Sequence, residues 1–226
     1  MSDLAARLAE VKERIARAAE ACGRQASDVK LIAVSKTKPA SAIREAYAAG
    51  QRAFGENYAQ ELAAKAEELA DLGDLEWHFI GHLQSNKAKL IVKAAHVVHT
   101  VDGASLAREI AKRALALGTV PCTVLIEVNV GGEAQKFGVS PGELEEVIRA
   151  VVALPGLALR GLMTVPPDGG REVARGVFET LATLRTLHGG KARLPELSMG
   201  MSADLEEAIA CGATMVRVGT AIFGGR

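Results

Sequence analysis

The sequence predicts an α/β protein: a closed (β/α)8 TIM barrel preceded by one extra N-terminal helix. Three observations carry that expectation. Short apolar runs alternate with Ala-rich amphipathic segments eight times along 226 residues, which calls for parallel strands joined by right-handed crossovers. The chain is 49% hydrophobic but only 4% aromatic, an aliphatic balance that suits a parallel sheet covered by helices. No Pro/Gly/Ser-rich linker interrupts it, so a single domain over residues 1–226 is expected. Such a series either closes or lies open as a doubly wound sheet, and eight units in one chain of this length favour closure.

The first helix is expected from about Ser2 to Cys22, with Leu4, Leu8, Val11 and Ile15 at helical spacing and Gly23 as the stop. Its other face is charged, so it docks on the body as a surface helix. Strand one is Leu31 to Ser35, followed by Lys36-Thr37-Lys38-Pro39 and a helix ending near Gly50. Arg52 to Gly55 is a brief second strand, with a helix through about Ala70. Trp77 to Ile80 is the third, with a helix from about Ser85 to Ala95. Val97 to Val101 and Cys122 to Val130 are the fourth and fifth, followed by helices to about Leu117 and from about Pro141 to Ala153. Leu157 to Met163 is the sixth, with a helix from about Arg171 to Leu187. Glu196 to Met199 is a short seventh, with a helix from Ser202 to about Cys211. Thr214 to Val218 is the eighth, with only a short tail after it.

Composition narrows the function classes. The 27 basic and 27 acidic residues cancel and no long block of one sign occurs, so nucleic acid or an anionic membrane finds no electrostatic footprint. Cys22, Cys122 and Cys211 are odd in number and form no CxxC, which points to structural thiols. No apolar run approaches a membrane span, and the N-terminus mixes Asp and Glu with Arg, unlike a presequence. A cytoplasmic protein is expected.

In such barrels the loops after the strands carry the active face, and phosphate commonly binds after strands seven and eight. Here those loops hold Ser198-Met199-Gly200-Met201-Ser202 and Arg217-Val218-Gly219-Thr220. Small residues and hydroxyls let exposed amides approach an anion, and Ser202 stands where a helix N-cap belongs. The bland alternative is that Ser202 merely caps and Gly219-Thr220 merely turns the chain. Lys36 lies at the end of strand one on the same rim. A lysine there is either solvated or a desolvated amine able to form an imine with an aldehyde. Lys38 stands two residues on, and pattern alone does not choose between the two. Asn57, His82, Asn129 and Met163 follow other strands; the asparagines can hydrogen-bond a ring substituent, and His82 reads more simply as a satisfied polar residue. His78 and His82 lack the arrangement of a zinc protease. No nucleophile elbow, Walker loop or dinucleotide fingerprint occurs.

Six segments together carry a family resemblance: Val34-Ser35-Lys36-Thr37-Lys38-Pro39, Phe54-Gly55-Glu56-Asn57-Tyr58, Trp77 through Lys87, Gly161-Leu162-Met163-Thr164, Leu197 through Ser202, and Val216 through Gly224. In this order they resemble the pyridoxal phosphate homeostasis protein family, whose fold is that of the alanine racemase N-terminal-domain barrel. The resemblance implies pyridoxal 5′-phosphate (PLP) joined to Lys36 as an imine, with phosphate contacts from Ser202, Gly219 and Thr220. It places Arg217 beside the pyridine nitrogen and Asn57 and Met163 along the pocket, with Lys136, in a loop that fits the family less tightly, as a second candidate amine after Lys36. It further implies a carrier or regulator acting in vitamin B6 and amino-acid homeostasis, with apo PLP-dependent enzymes as candidate partners.

Holding the cofactor without using it is chemically coherent. PLP enzymes draw electrons into the ring, most strongly when the pyridine nitrogen is protonated. A permanently cationic Arg217 disfavours that protonation. A two-base racemase also needs a proton carrier opposite its lysine, typically a tyrosine from another domain or subunit. The tyrosines here are Tyr47 and Tyr58, for which structural or phosphate-side roles are expected, and no second domain is expected after strand eight. The alternatives are a small PLP-dependent amino-acid racemase or lyase and an aldolase-type barrel in which Lys36 attacks a sugar-phosphate carbonyl. A pure interaction module fits least, because a lysine, hydroxyls and glycines converge on one rim. A monomer is expected.

Overall fold

The computed structural model describes residues 3–133 and 135–225. Helix α1 (Asp3–Ala21) buries Leu4, Leu8, Val11, Ile15 and Ala19, the stripe that 3.6-residue periodicity places on one side. It packs against α9 and α10, beside the seam where the barrel closes. The units that follow are β1 (Lys30–Val34) with α2 (Ala40–Ala48), β2 (Ala53–Glu56) with α3 (Ala59–Glu68), β3 (Glu76–Phe79) with α4 (Ala88–Ala94), and β4 (Val97–Val101) with α5 (Ala104–Leu117). Next come β5 (Cys122–Glu127) with α6 (Leu144–Val152), β6 (Leu157–Met163) with α7 (Gly170–Leu187) and the short α8 (Gly190–Arg193), β7 (Glu196–Ser198) with α9 (Leu205–Ala210), and β8 (Met215–Val218) with α10 (Thr220–Phe223).

The strands form one closed barrel in chain order, β1 to β8. Closure is made by parallel pairing of β1 with β8, from Lys30↔Met215 to Ala33↔Val218. Alternation along each strand sorts the core into two parts. Ile32, Ala53, Val97, Leu125, Met163 and Met215 form a cluster inside the barrel. Neighbouring positions such as Leu31, Ala33, Phe54, Trp77, Phe79, Val216 and Val218 belong to the larger cluster that includes the helices. Both strand faces are therefore buried, which explains the near-continuous apolar runs.

Several boundaries differ from the sequence expectation. The helix after β7 begins at Leu205, not Ser202, because Ser202 to Asp204 form a turn in which Asp204 Oδ1 accepts the Met201 N–H at 2.6 Å. Residues 85–87 form a 3₁₀ turn ahead of α4. Strand five stops at Glu127, after which the chain continues as a loop whose Val128 bridges Val139. The segment after β8 coils into α10. No helix among the described residues is long and apolar enough to cross a membrane.

Candidate functional site

At the rim formed by the C-terminal ends of the strands, a cavity of about 380 Å³ is lined by Lys36, Asn57, Ser202, Arg217, Gly219 and Thr220. Met163 is not among its lining residues; it lies in the barrel's interior cluster at 1% exposure. Lys36 Nζ has no hydrogen-bond or ion-pair partner among the described residues. Lys38 does: its Nζ donates to the Gly225 carbonyl at 2.8 Å and lines a neighbouring cavity instead. The tertiary structure thus distinguishes two lysines that the sequence pattern left equivalent.

A buried ion cluster sets the position of Lys36. Lys65, on α3, donates to Glu56 Oε1, to Glu61 Oε1 and to the Ser35 carbonyl, each at 2.7 Å. Ser35 Oγ donates to the same Glu56 oxygen at 2.6 Å, and Glu61 accepts the Thr37 N–H at 2.6 Å. Residues 35 and 37, flanking Lys36, are therefore tied to one cluster. Thr37 has φ 63°, a left-handed conformation rare for a β-branched residue and costing about 1–3 kcal/mol. The Glu61 bond holds it there. Burial pushes the Glu56 carboxyl above its ordinary range despite the bonds from Lys65 and Ser35.

On the opposite side of the cavity the loops after β7 and β8 approach each other. Gly200 has φ +92°, and an added Cβ would sit 2.5 Å from Ala208 Cβ, so only glycine lets the chain turn there. Helix α1 braces the turn that follows: Arg14 bonds both Glu206 oxygens at 2.8 and 3.0 Å and donates to the Ser202 carbonyl at 3.0 Å. The N–H groups of Ser202, Ala203 and Gly219 have no protein partner among the described residues. With α9 only six residues long and starting past Ser202, the anion-binding potential rests on these loop amides and hydroxyls rather than on a helix terminus.

Arg217 is 4% exposed. Its Nη1 donates to Ser198 Oγ at 2.7 Å and its Nη2 to the Thr164 carbonyl at 2.9 Å. Burial pulls its pKa down to about 10, opposed by the charges of Glu127 and Asp204, so it remains a cation at neutral pH. Glu127, at the end of β5, is pushed up to about 7 by burial, with Arg217 pulling it down and Asp102 pushing it up. Glu127, Asp102, Asp204 and His99 were absent from the sequence-derived site, and Ser198 entered it only as part of the loop after strand seven. An inward-facing count along β4 and β5 marks His99 and Glu127, whereas Asp102 and Asp204 lie in turns beyond strand ends, where no such pattern applies.

Asn57 joins the site through a close approach: a Cβ on Gly81 would lie 2.1 Å from the Asn57 carbonyl oxygen, so the loop after β3 presses directly on it. Asn57 Oδ1 is buried with no donor. Asn129 differs from expectation, because its amide closes its own loop by donating to the Glu133 carbonyl at 2.9 Å and accepting the Gly132 N–H at 3.0 Å. Lys136 in that loop reaches the Pro166 carbonyl at 3.0 Å. His82 stacks on Phe137 at 3.5 Å between ring centroids and, with Tyr58, lines a separate cavity of about 250 Å³. Tyr47 donates to Asp74 on the outer surface. No group of three His, Cys, Asp or Glu side chains among the described residues converges as a metal site.

Comparisons with known proteins agree with this fold. Residues 6–226 match the family described as alanine racemase, N-terminal domain. The pyridoxal phosphate homeostasis protein of Pseudomonas aeruginosa is 50% identical over 100% of this chain and 97% of its own. That of Escherichia coli is 47% identical over 100% and 98%. The structure of PipY from Synechococcus elongatus with PLP bound superposes with a TM-score of 0.86 at 40% identity, covering 98% of this chain and 100% of that one. Barrel, rim and full-length similarity lead to one conclusion: the chain belongs to the pyridoxal phosphate homeostasis protein family, built on the alanine racemase N-terminal-domain barrel.

Proposed function

We propose that this protein holds PLP reversibly in the mouth cavity and serves intracellular PLP and amino-acid homeostasis without robust catalysis. The observation that carries the reading is the unpartnered Lys36 amine, which shares one cavity of about 380 Å³ with Arg217 and the Ser202 and Gly219-Thr220 loops. The donor set fits the group. Unused N–H groups and two hydroxyls suit a phosphate, and the orphaned Asn57 Oδ1 suits a ring hydroxyl. When bound, PLP supplies an aldehyde carbon and an electron-accepting ring. Lys36 Nζ bonds to that carbon as an imine with loss of water. Arg217 opposes protonation of the ring nitrogen by its charge. The relatives' names and the PLP-bound PipY structure support the cofactor and the homeostatic role. Limited catalysis is consistent with the tyrosines: Tyr47 is engaged outside the barrel and Tyr58, 57% exposed, lines the side cavity rather than the mouth. Apo PLP-dependent enzymes are the proposed recipients, and the protein acts as a cytoplasmic monomer.

Borohydride reduction of the PLP-loaded protein followed by peptide mapping tests the assignment. The label belongs on Lys36, and label elsewhere, or none, overturns it. A second reading, a small amino-acid racemase, is favoured by one observation. Glu127, held at about 7 near Arg217, is a carboxyl poised for proton transfer at neutral pH. Turnover of a panel of amino acids that Lys36→Ala and Glu127→Gln both abolish would select that reading.

A further inference from the structure

Polar side chains form a continuous line through the interior of this barrel, where aliphatic residues would pack at lower cost. At the mouth, Arg217 Nη1 donates to Ser198 Oγ at 2.7 Å. Ser198 Oγ lies 2.9 Å from His99 Nδ1, and His99 Nε2 lies 2.8 Å from His78 Nδ1. His78 Nε2 is 3.1 Å from Glu76 Oε1, and Lys30 Nζ bonds both Glu76 oxygens at 2.8 and 2.7 Å. The His78–Glu76 contact is off the line of a good hydrogen bond and is the weakest link. Ser198, His78 and His99 are 0% exposed. The line draws on β8, β7, β4, β3 and β1. It ends at the first residues of β3 and β1, which line a separate cavity of about 400 Å³ at the other end of the barrel.

The end charges dictate its direction. Ser198 has one proton to give and already accepts from Arg217. If the hydroxyl donates to His99 Nδ1, His99 carries its proton on Nε2 and donates to His78 Nδ1. His78 then carries its proton on Nε2, facing the Glu76 carboxylate. Every donor from Arg217 to His99 meets an acceptor, and His78 Nε2 faces the Glu76 carboxylate at 3.1 Å as a charge contact rather than a hydrogen bond. In the reverse order a bare His78 Nε2 would face the carboxylate, lone pair against lone pair. Charging either imidazole is opposed first by burial. For His78 the neighbours are Glu76, which favours charge, and Lys30 and His96, which oppose it. For His99 they are His78, Arg217 and Lys30, all opposing.

We propose that Ser198, His99 and His78 are positioning residues: their one-directional hydrogen-bond chain, anchored at Glu76–Lys30, holds the Arg217 guanidinium in a single orientation in the mouth. This rests on the reading that Arg217 faces the ring nitrogen of PLP. The chain matters because Arg217 has competing attractions. Glu127 and Asp204 both feel its charge, and without the Ser198 acceptor only the Thr164 carbonyl holds the guanidinium against turning toward them. The ring nitrogen then gains proton affinity, and a protonated ring lowers the pKa of the imine.

Two measurements test the chain. In the protein without cofactor, long-range ¹H–¹⁵N correlations should find His78 and His99 as neutral Nε2–H tautomers from about pH 7 to 8.5. A proton on His99 Nδ1, or titration of either ring in that range, overturns the proposal. In the PLP-loaded protein, Ser198→Ala and the nearly isosteric Ser198→Cys should lower the pH midpoint of the visible band by ~0.5 or more, with Ser198→Thr restoring it. An unmoved or raised midpoint in both Ala and Cys variants overturns the positioning role. If the native protein develops no visible band with PLP, the cofactor reading fails, while the tautomer measurement still decides the chain. If the variants do not fold, the native tautomers decide it alone.

Discussion

Lys65→Met is the most informative single substitution for the frame that carries Lys36. Lys65 is 6% exposed and Glu56 0%. The substitution leaves the Glu56 carboxylate in the interior with only the Ser35 hydroxyl to oppose its charge, its Oε2 already lacking a donor. Breaking one side of a buried pair costs about 3–5 kcal/mol. At about 2–4 °C per kcal/mol for a chain of this size, Tm should fall by roughly 6–20 °C. The sign of the pH dependence follows from the same group. Burial holds the native Glu56 pKa above the ordinary 4.5, so its ionisation weakens folding as pH climbs past the unfolded value. Removing Lys65 raises the pKa further. The deficit should therefore be largest at neutral pH and shrink toward pH ~5, by at most ~1.4 kcal/mol per pH unit. Urea unfolding of the protein without cofactor, at both pH values, measures it. Glu56→Gln/Lys65→Met should recover most of the loss, since neither partner then carries a charge. A deficit below ~1 kcal/mol, a deficit independent of pH, or a double variant no better than the single refutes the reasoning.

Other outcomes follow from the same geometry. Lys36→Ala should lose the visible PLP band yet retain measurable affinity for PLP through the phosphate loops; equilibrium dialysis distinguishes this from complete loss. Glu127→Gln removes a carboxyl that burial holds at about 7 against an ordinary 4.5, so its native form loses stability as pH rises between those values. The variant's advantage in urea midpoint should grow from pH 5 to pH 8 to at most ~3 kcal/mol, and a constant difference would count against the assignment. Gly81→Ala drives a Cβ to within 2.1 Å of the Asn57 carbonyl oxygen. It should cost ~1–3 kcal/mol by thermal unfolding and weaken PLP binding together with it.

Much of the rim was legible in the sequence because barrel topology converts chain order into position. A residue just after a strand reaches the C-terminal rim whatever its neighbours are. That logic brings Lys36, Asn57, Ser202, Gly219 and Thr220 to the rim, whereas Arg217 enters the same cavity from within β8. Met163, placed at the rim by the same ordering, lies in the interior cluster, because the inward or outward phase at a strand's end depends on its pairing. The strand register shifts within β6's pairing with β5, and a shift of one residue exchanges the two faces. Asn129 bonds within its own loop, since an asparagine there satisfies neighbouring backbone as readily as it faces a ligand.

By itself the sequence determined the repeating order of strands and helices, the aliphatic core and the rim on which small residues and lysines gather. These are properties of local pattern and chain direction. Only the tertiary structure decided which polar groups meet across the barrel. Ser198 and His99 are 99 residues apart, and Arg217 reaches Thr164 across 53. It also decided that Lys38 is engaged while Lys36 has no partner among the described residues. Closing eight strands sets contacts by register and curvature at once, and in a barrel buried on both faces hydrophobic patterning carries no information about either.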